Sequence, residues 1–346
     1  MIKPFTLLTL STFLPLSAQT AASTLQLAGD DVLTVQVSGM AFNISAADSD
    51  TTTVTGELQA ELTINETTNR VTNISFVGGD LAFTDMNFEL VFRAGIIPFG
   101  EQNVDTLDVR GTALTTDEDT SVAANNQFSA AAHSVRLDSG LVDSSGSLGD
   151  FDRDLENEPL EAEGNGQGTI TLTETASGLN GTLYDVSLVL PVNGEDEFND
   201  PNNIGTGRIS ISGSVNATGQ TGVFTDDFTA FMVQRNPGLI DTELSRTGDA
   251  DGDGIQDGLA FALNLPLDAN PADDLLRIDR NRALRITLAD EGTNRDVRIM
   301  ASETLAPGSF QEIDKLDAGR TGEALIINAS SAEKRFFRLE VATPAS

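Results

Sequence analysis

Between about residue 24 and residue 235 apolar and polar side chains alternate with period two, and this pattern limits the available folds more than any other feature. In Val54-Thr-Gly-Glu-Leu-Gln-Ala-Glu-Leu-Thr-Ile64 the apolar side chains at 54, 58, 60, 62 and 64 share one face. Met86–Phe92, Ile170–Leu172, Val186–Leu190 and Ile209–Ile211 repeat it. Such alternation marks half-buried antiparallel strands, one face in the core and one in water. Roughly ten of them, separated by turn residues, predict an antiparallel β-sandwich or barrel. In Leu33–Ile44 the apolar parity reverses at Gly39-Met40, which predicts a bulge or a bend there.

The first residues do not follow this pattern. Lys3 gives a short positive segment, Phe5 to Leu16 an apolar run, and Ser17 to Ala22 a zone of small residues. This is the layout of a secretory signal peptide over residues 1–22, with cuts after Ala18 or Ala22 both admissible. The run is too short to span a membrane, and no later run reaches about 18 apolar residues. The expected product is an exported protein, secreted or held in the cell envelope, with no membrane span in the mature chain. It has no cysteine, so disulfides and thiol catalysis play no part.

The remaining chain divides by composition into an acidic β-domain at 23–235, a linker at 236–274 and a small β-domain at 275–346. Within the first, Asp150-Phe-Asp-Arg-Asp-Leu-Glu-Asn-Glu-Pro-Leu-Glu-Ala-Glu163 carries seven acids and one arginine and reads as an exposed loop. Glu195–Asp200 reads as a second acidic loop, a solvated turn in preference to a cation site. The C-terminal domain has strand patterns at Ala283–Leu288, Asp296–Met300, Ala324–Asn328 and Arg335–Val341.

The formal charge of −33 is unevenly placed, since residues 1–274 hold 42 acidic side chains against 9 basic, and the rest hold 11 of each. Such a field repels nucleic acid and anionic membrane and attracts divalent cations. His133 is the only histidine and no Gly-x-Ser-x-Gly elbow accompanies it, which argues against a Ser-His-Asp site or zinc. With no Trp and a single Tyr, Tyr184, sugar stacking and the aromatic girdles of a membrane barrel are also disfavoured. The 18 phenylalanines mostly alternate with polar residues and read as core.

One motif carries chemistry. In Asp249-Ala-Asp-Gly-Asp-Gly-Ile-Gln-Asp-Gly-Leu-Ala260, Asp249, Asp251, Asp253 and Asp257 occupy positions 1, 3, 5 and 9 of a calcium loop. Gly254 is its turn glycine, and the Ile255 carbonyl is the ligand at position 7. Position 12, where a bidentate acid belongs, is Ala260. Water, Asp241 or Asp268 would complete the shell. Leu259–Leu263 has helical character, which Pro266 ends.

The loop resembles thrombospondin type 3 and dockerin repeats. Residues 247–343 as a whole are similar to the closing module of many exported planctomycete and verrucomicrobial proteins: a DADGDG loop, a short helix, a small β-domain and an ending like Arg335-Phe-Phe-Arg-Leu339. The resemblance implies Leu-Glu-Tyr-Ala-Leu where this chain has Leu259-Ala-Phe-Ala-Leu263, hence Glu in place of Ala260. The expectation is a weak structural calcium site stiffening the link between β-domains. The chain itself is expected to be a non-enzymatic cell-envelope or extracellular protein, with cell-surface or matrix components as partners. The alternatives are a ligand-binding β-barrel and an extracellular hydrolase.

Overall fold

The computed structural model describes residues 18–41, 43–117, 120–147, 149–199, 205–250 and 252–265 continuously. Beyond these it describes 276–278, 283–286, 288, 293–302, 304, 306, 308–321, 325–328 and 336–341. Residues 1–17 of the expected leader, and Asp200, Asp251, Pro266 and Asp268, lie outside the described residues. Strand makes up 66% of the structure and helix 8%, so the fold is mainly β. Two compact units are present: residues up to Thr175 with Tyr184–Val223, and Ala176–Leu183 with the chain from Phe224 onward.

The first unit is built on one thirteen-stranded antiparallel sheet. Its strands are β1 (Ala18–Leu27), β2 (Val32–Ala41), β3 (Ile44–Asn65), β4 (Arg70–Phe83), β5 (Met86–Ala94), β6 (Ile97–Thr115) and β7 (Gln127–Ser129). They continue with β8 (His133–Gly146), β9 (Phe151–Asp154), β10 (Leu160–Glu163), β11 (Gln167–Gly178), β12 (Gly181–Asn199) and β13 (Gly205–Phe224). The order across the sheet is β10-β8-β6-β4-β3-β1-β13-β12-β11-β7, with β2 beside β3 and β13, β5 beside β6, and β9 beside β8. The alternation read from the sequence sets the faces. Val54, Leu58, Ala60, Leu62 and Ile64 are all buried in the main core with Ile74, Phe76, Leu188 and Leu190.

Two long strands organise this sheet. β3 has 22 residues and β13 has 20, and on the sides that face each other neither is paired with one strand along its whole length. Instead β2 and β1 lie end to end between them. β3 takes β2 along Ile44–Thr53 and β1 along Glu57–Asn65. β13 takes β2 along Gly205–Ser212 and β1 along Ala217–Gly219. At the break between the short strands the buried carboxylate of Asp31 accepts the Asn216 backbone N–H at 2.6 Å and its side-chain amide as well. A side chain thus supplies the acceptors that a missing ladder residue would have offered.

Three local readings are corrected. β2 carries no bulge at Gly39-Met40, because its register against β3 is unbroken from Val32 to Ala41 and Met40 stays on the exposed face. Space is tight at Gly39, where an added Cβ would lie 3.3 Å from the Phe92 ring. The acidic stretch 150–163 is not a loop throughout but forms β9 and β10 on the edge of β8. Leu155, fully buried, and Leu160, 7% exposed, anchor it in the core while its acids take the solvent side. Glu195–Asn199 continues β12, with Glu195 ion-paired to Arg208.

The second unit begins with a helix that the sequence reading did not find, α1 (Asp227–Arg235). Asp226 caps it by accepting the Thr229 N–H at 2.8 Å, and Phe228, Phe231 and Met232 form its buried side. α2 (Asp257–Leu263) follows and ends on Asn264 in the left-handed conformation. Two three-stranded sheets complete the unit: β14 (Leu276–Ile278), β15 (Ala283–Ile286) and β18 (Leu325–Asn328); and β16 (Val297–Ser302) between β17 (Gln311–Leu316) and β19 (Phe336–Val341). Phe228, Phe231, Phe261, Leu263, Val297, Ile299 and Leu316 share one core, so helices and sheet here stabilise each other.

Leu155 tests the anchoring of the acidic segment. Leu155→Ala is expected to cost about 3–5 kcal/mol by urea unfolding, as for other fully buried leucines. Glu156→Gln beside it should change stability by less than about 0.5 kcal/mol. Equal, small effects would restore the loop reading.

Candidate metal centre

The loop before α2 is closed on itself by its own acids. Asp249 accepts Gly252 N–H at 2.9 Å through Oδ1 and Gly254 N–H at 3.1 Å through Oδ2. Asp253 Oδ1 accepts Ile255 N–H at 2.7 Å. Gly252 and Gly254 have φ of +77° and +90°, which only glycine adopts without strain. The base of the loop is tied by Asp257 N–H to Gly248 O at 2.8 Å and Gly258 N–H to Arg246 O at 2.9 Å. A Cβ at Gly258 would lie 2.5 Å from that same carbonyl oxygen. Ile255 is buried in the core of the second unit, which holds the loop's carbonyl position against α2.

Asp257 is the residue that geometry singles out. Its residue is 2% exposed, and its Oδ1 accepts Ala250 N–H at 2.9 Å. Its Oδ2 is buried with no hydrogen-bond partner. Burial, with the charges of Asp249 and Asp253 added, pushes the Asp257 carboxyl above its ordinary range against the opposing Ala250 hydrogen bond. A buried anion with an unused oxygen calls for a proton or a cation. Hard oxygen donors of this kind suit calcium.

Of the five proposed ligands, Asp249, Asp253, Ile255 and Asp257 lie in one described loop, and Asp251 lies outside the described residues. Among the described residues no three acids converge as a ready set of ligands. Ala260, at the twelfth loop position, falls in the first turn of α2 and is 3% exposed, packed in the same core as Phe261 and Leu263. An apolar side chain fits that setting. Asp241 is exposed.

Other polar groups have structural explanations. His133 opens β8 and is 1% exposed. Its Nδ1 shares a hydrogen bond of 3.0 Å with Thr115 Oγ1, which also accepts Phe76 N–H. The rings of Phe76 and Phe128 meet it edge-on, with centroids 4.8 and 5.4 Å away. Its Nε2 has no partner, and burial lowers its pKa from 6.5 to about 4. Such a sealed imidazole is a core residue.

The sequence reading missed a row of acids across the first unit. Asp105 on β6 stands opposite Asp143 on β8, and Asp143 opposite Asp152 on β9. A hydrogen bond with Asp152, then partial burial and the nearby charges of Asp152, Asp105 and Asp150, push the Asp143 carboxyl above its ordinary range. Directly paired like charges destabilise a sheet. No single strand shows this row, because it arises from the register between β6, β8 and β9.

The first unit also contains an apolar pocket lined by Leu33, Val54, Leu81, Leu137, Leu155 and Ile211 among others, of about 70 Å³. That is less than half of the roughly 150 Å³ that holds benzene in an engineered core. Metabolite pockets run to about 300 Å³ and more.

Two pH effects of opposite sign follow. Asp257 has a raised folded-state pKa, so the calcium-free fold binds more protons than the unfolded chain just above the ordinary carboxylate pKa. Its stability therefore falls as pH rises through that window. Asp257→Asn is expected to raise the calcium-free melting temperature at pH 7 by about 2–4 °C and to abolish any rise on adding calcium. His133 has a lowered folded-state pKa, so stability is lost as pH falls from 6.5 towards 4. Urea unfolding at pH 7 and pH 4 should show wild type losing about 3 kcal/mol more than His133→Leu. Equal losses would mean that the imidazole is not sealed.

No family model matches the chain, and no curated protein sequence matches it. The functional reading therefore rests on the residues themselves.

Proposed function

We propose that this is an exported, non-enzymatic protein of the cell envelope or extracellular space, in which one calcium ion braces the second unit. The single observation that carries the calcium reading is the buried, unpartnered Oδ2 of Asp257 in a loop with calcium spacing. The carboxylates of Asp249, Asp251, Asp253 and Asp257 and the carbonyl of Ile255 would hold the ion. Bound, it neutralises charge and stabilises the folded loop over the unfolded chain. The loop's ties through Gly248, Arg246 and Ile255 pass that stabilisation to the start of α2 and its core.

The non-enzymatic part is supported by the setting of His133, which substrate cannot reach. A ligand-binding barrel draws no support from a 70 Å³ pocket. Export fits the leader layout at residues 1–22 and a charge of −33, and no helix among the described residues is long and apolar enough to cross a membrane. Cell-surface or matrix components are the partners such a protein would meet. With Ala260 at position 12, affinity belongs in the weak extracellular range, about 10⁻⁴–10⁻³ M. At tenfold excess over that Kd, calcium adds about 1.4 kcal/mol of stability.

Calorimetric titration of the full chain with calcium is the test. Heat fitting one site in that range is expected, with a matching rise in melting temperature. No heat and no rise at several millimolar calcium would discard the site.

A further inference from the structure

β1 begins at Ala18, inside the zone of small residues where the sequence places the leader's cleavage. Residue size favours the cut after Ala22, which has Thr20 two places before it, over the cut after Ala18, which has Leu16 there. The strand ladder favours the opposite choice. Ala18–Gln26 runs without a break opposite Asn65–Glu57 of β3. Gln19, Thr20, Ala21 and Ala22 stand opposite Ile64, Thr63, Leu62 and Glu61, and Leu62 and Ile64 are fully buried. Ala21 packs on that same core. Thr20 Oγ1 lies 3.3 Å from Thr63 Oγ1, and Thr221 Oγ1 donates to Ala22 O at 3.4 Å.

A chain cut after Ala22 loses this whole segment. The end of β3 from Glu61 to Ile64 would then have no neighbour on its β1 side, leaving an unpaired edge over buried leucine and isoleucine. A chain cut after Ala18 loses one terminal residue of the strand. What remains after processing is what must fold, and only the earlier cut leaves β3 covered.

We propose that export processing hydrolyses the Ala18–Gln19 bond, so that Gln19 opens the mature protein; this rests on the export reading above. The substrate is the leader junction of the chain itself. A signal peptidase adds water across the amide, leaving a carboxylate on Ala18 and an amine on Gln19.

The test expresses the full chain with its own leader in a bacterium with an active export pathway, then determines the amino terminus of the product by intact mass and terminal sequencing. A start at Gln19 is expected, or at the same residue cyclised to pyroglutamate with loss of ammonia. A start at Ser23 overturns the proposal and leaves export standing; an uncut chain retained in the cytoplasm overturns both. Chains begun at Gln19 and at Ser23 are then compared directly. The shorter one should melt about 4 °C or more lower and exchange the amide hydrogens of Glu61–Ile64 faster. Equal melting and equal exchange would remove the physical basis of the proposal.

Discussion

Everything in the first unit depends on keeping the backbone of two very long strands paired. A strand of 22 residues offers hydrogen-bonding groups along its full length on both sides, and each buried one must find a partner. β3 and β13 meet this demand by sharing two shorter strands laid end to end. Gaps are then inevitable, and aspartates fill them. Asp31 spans the break between β1 and β2. Asp48 and Asp50 do the same where β4 leaves β3 and β5 comes alongside without a ladder. Each accepts the next backbone N–H of its own strand and one from β5, Glu89 for Asp48 at 2.8 Å and Asn87 for Asp50 at 3.1 Å.

The second unit solves a different problem, a short chain that must build a core from two small helices and small sheets. Aromatic packing does this. Phe261 meets Phe228 and Phe231 edge-on at 5.7 and 5.4 Å, and the Arg246 guanidinium lies 4.6 Å from the Phe228 ring and 5.1 Å from the Phe261 ring. Arg246 is also the residue whose carbonyl receives Gly258 N–H at the base of the acidic loop before α2. The loop and the aromatic core therefore meet at one residue.

The strands were legible because burial on one face writes itself into period two, and the core positions of β3 follow that period from 54 to 64. The acidic segment at 150–163 was misread because seven acids outweigh two leucines in any average, whereas a strand edge needs only Leu155 and Leu160 to hold it. α1 was missed although its signals are local: Asp226 as cap, and apolar residues at 228, 231 and 232. The spacing of the acids at 249, 251, 253 and 257 was legible in the sequence. The isolation of Asp257 Oδ2 was not, since spacing says nothing of which oxygen is buried. The paired row at Asp105, Asp143 and Asp152 depends on register between distant strands, which no single segment records.

A charge of −33 suggests one property, an acidic and soluble surface. The structure separates at least three kinds of carboxylate behind that number. Asp31, Asp48 and Asp50 act as backbone substitutes, whose negative charge strengthens hydrogen bonds from N–H groups. Asp105, Asp143 and Asp152 repel one another on an exposed face and raise the proton affinity at Asp143. Asp257 is buried beside other acids and is costly until something positive arrives. The first group favours the fold, and the other two oppose it at neutral pH and low ionic strength. A medium rich in divalent cations relieves both opposing groups while leaving the first intact. Added salt is therefore expected to relieve the acids that strain the fold more than it weakens those that replace backbone partners.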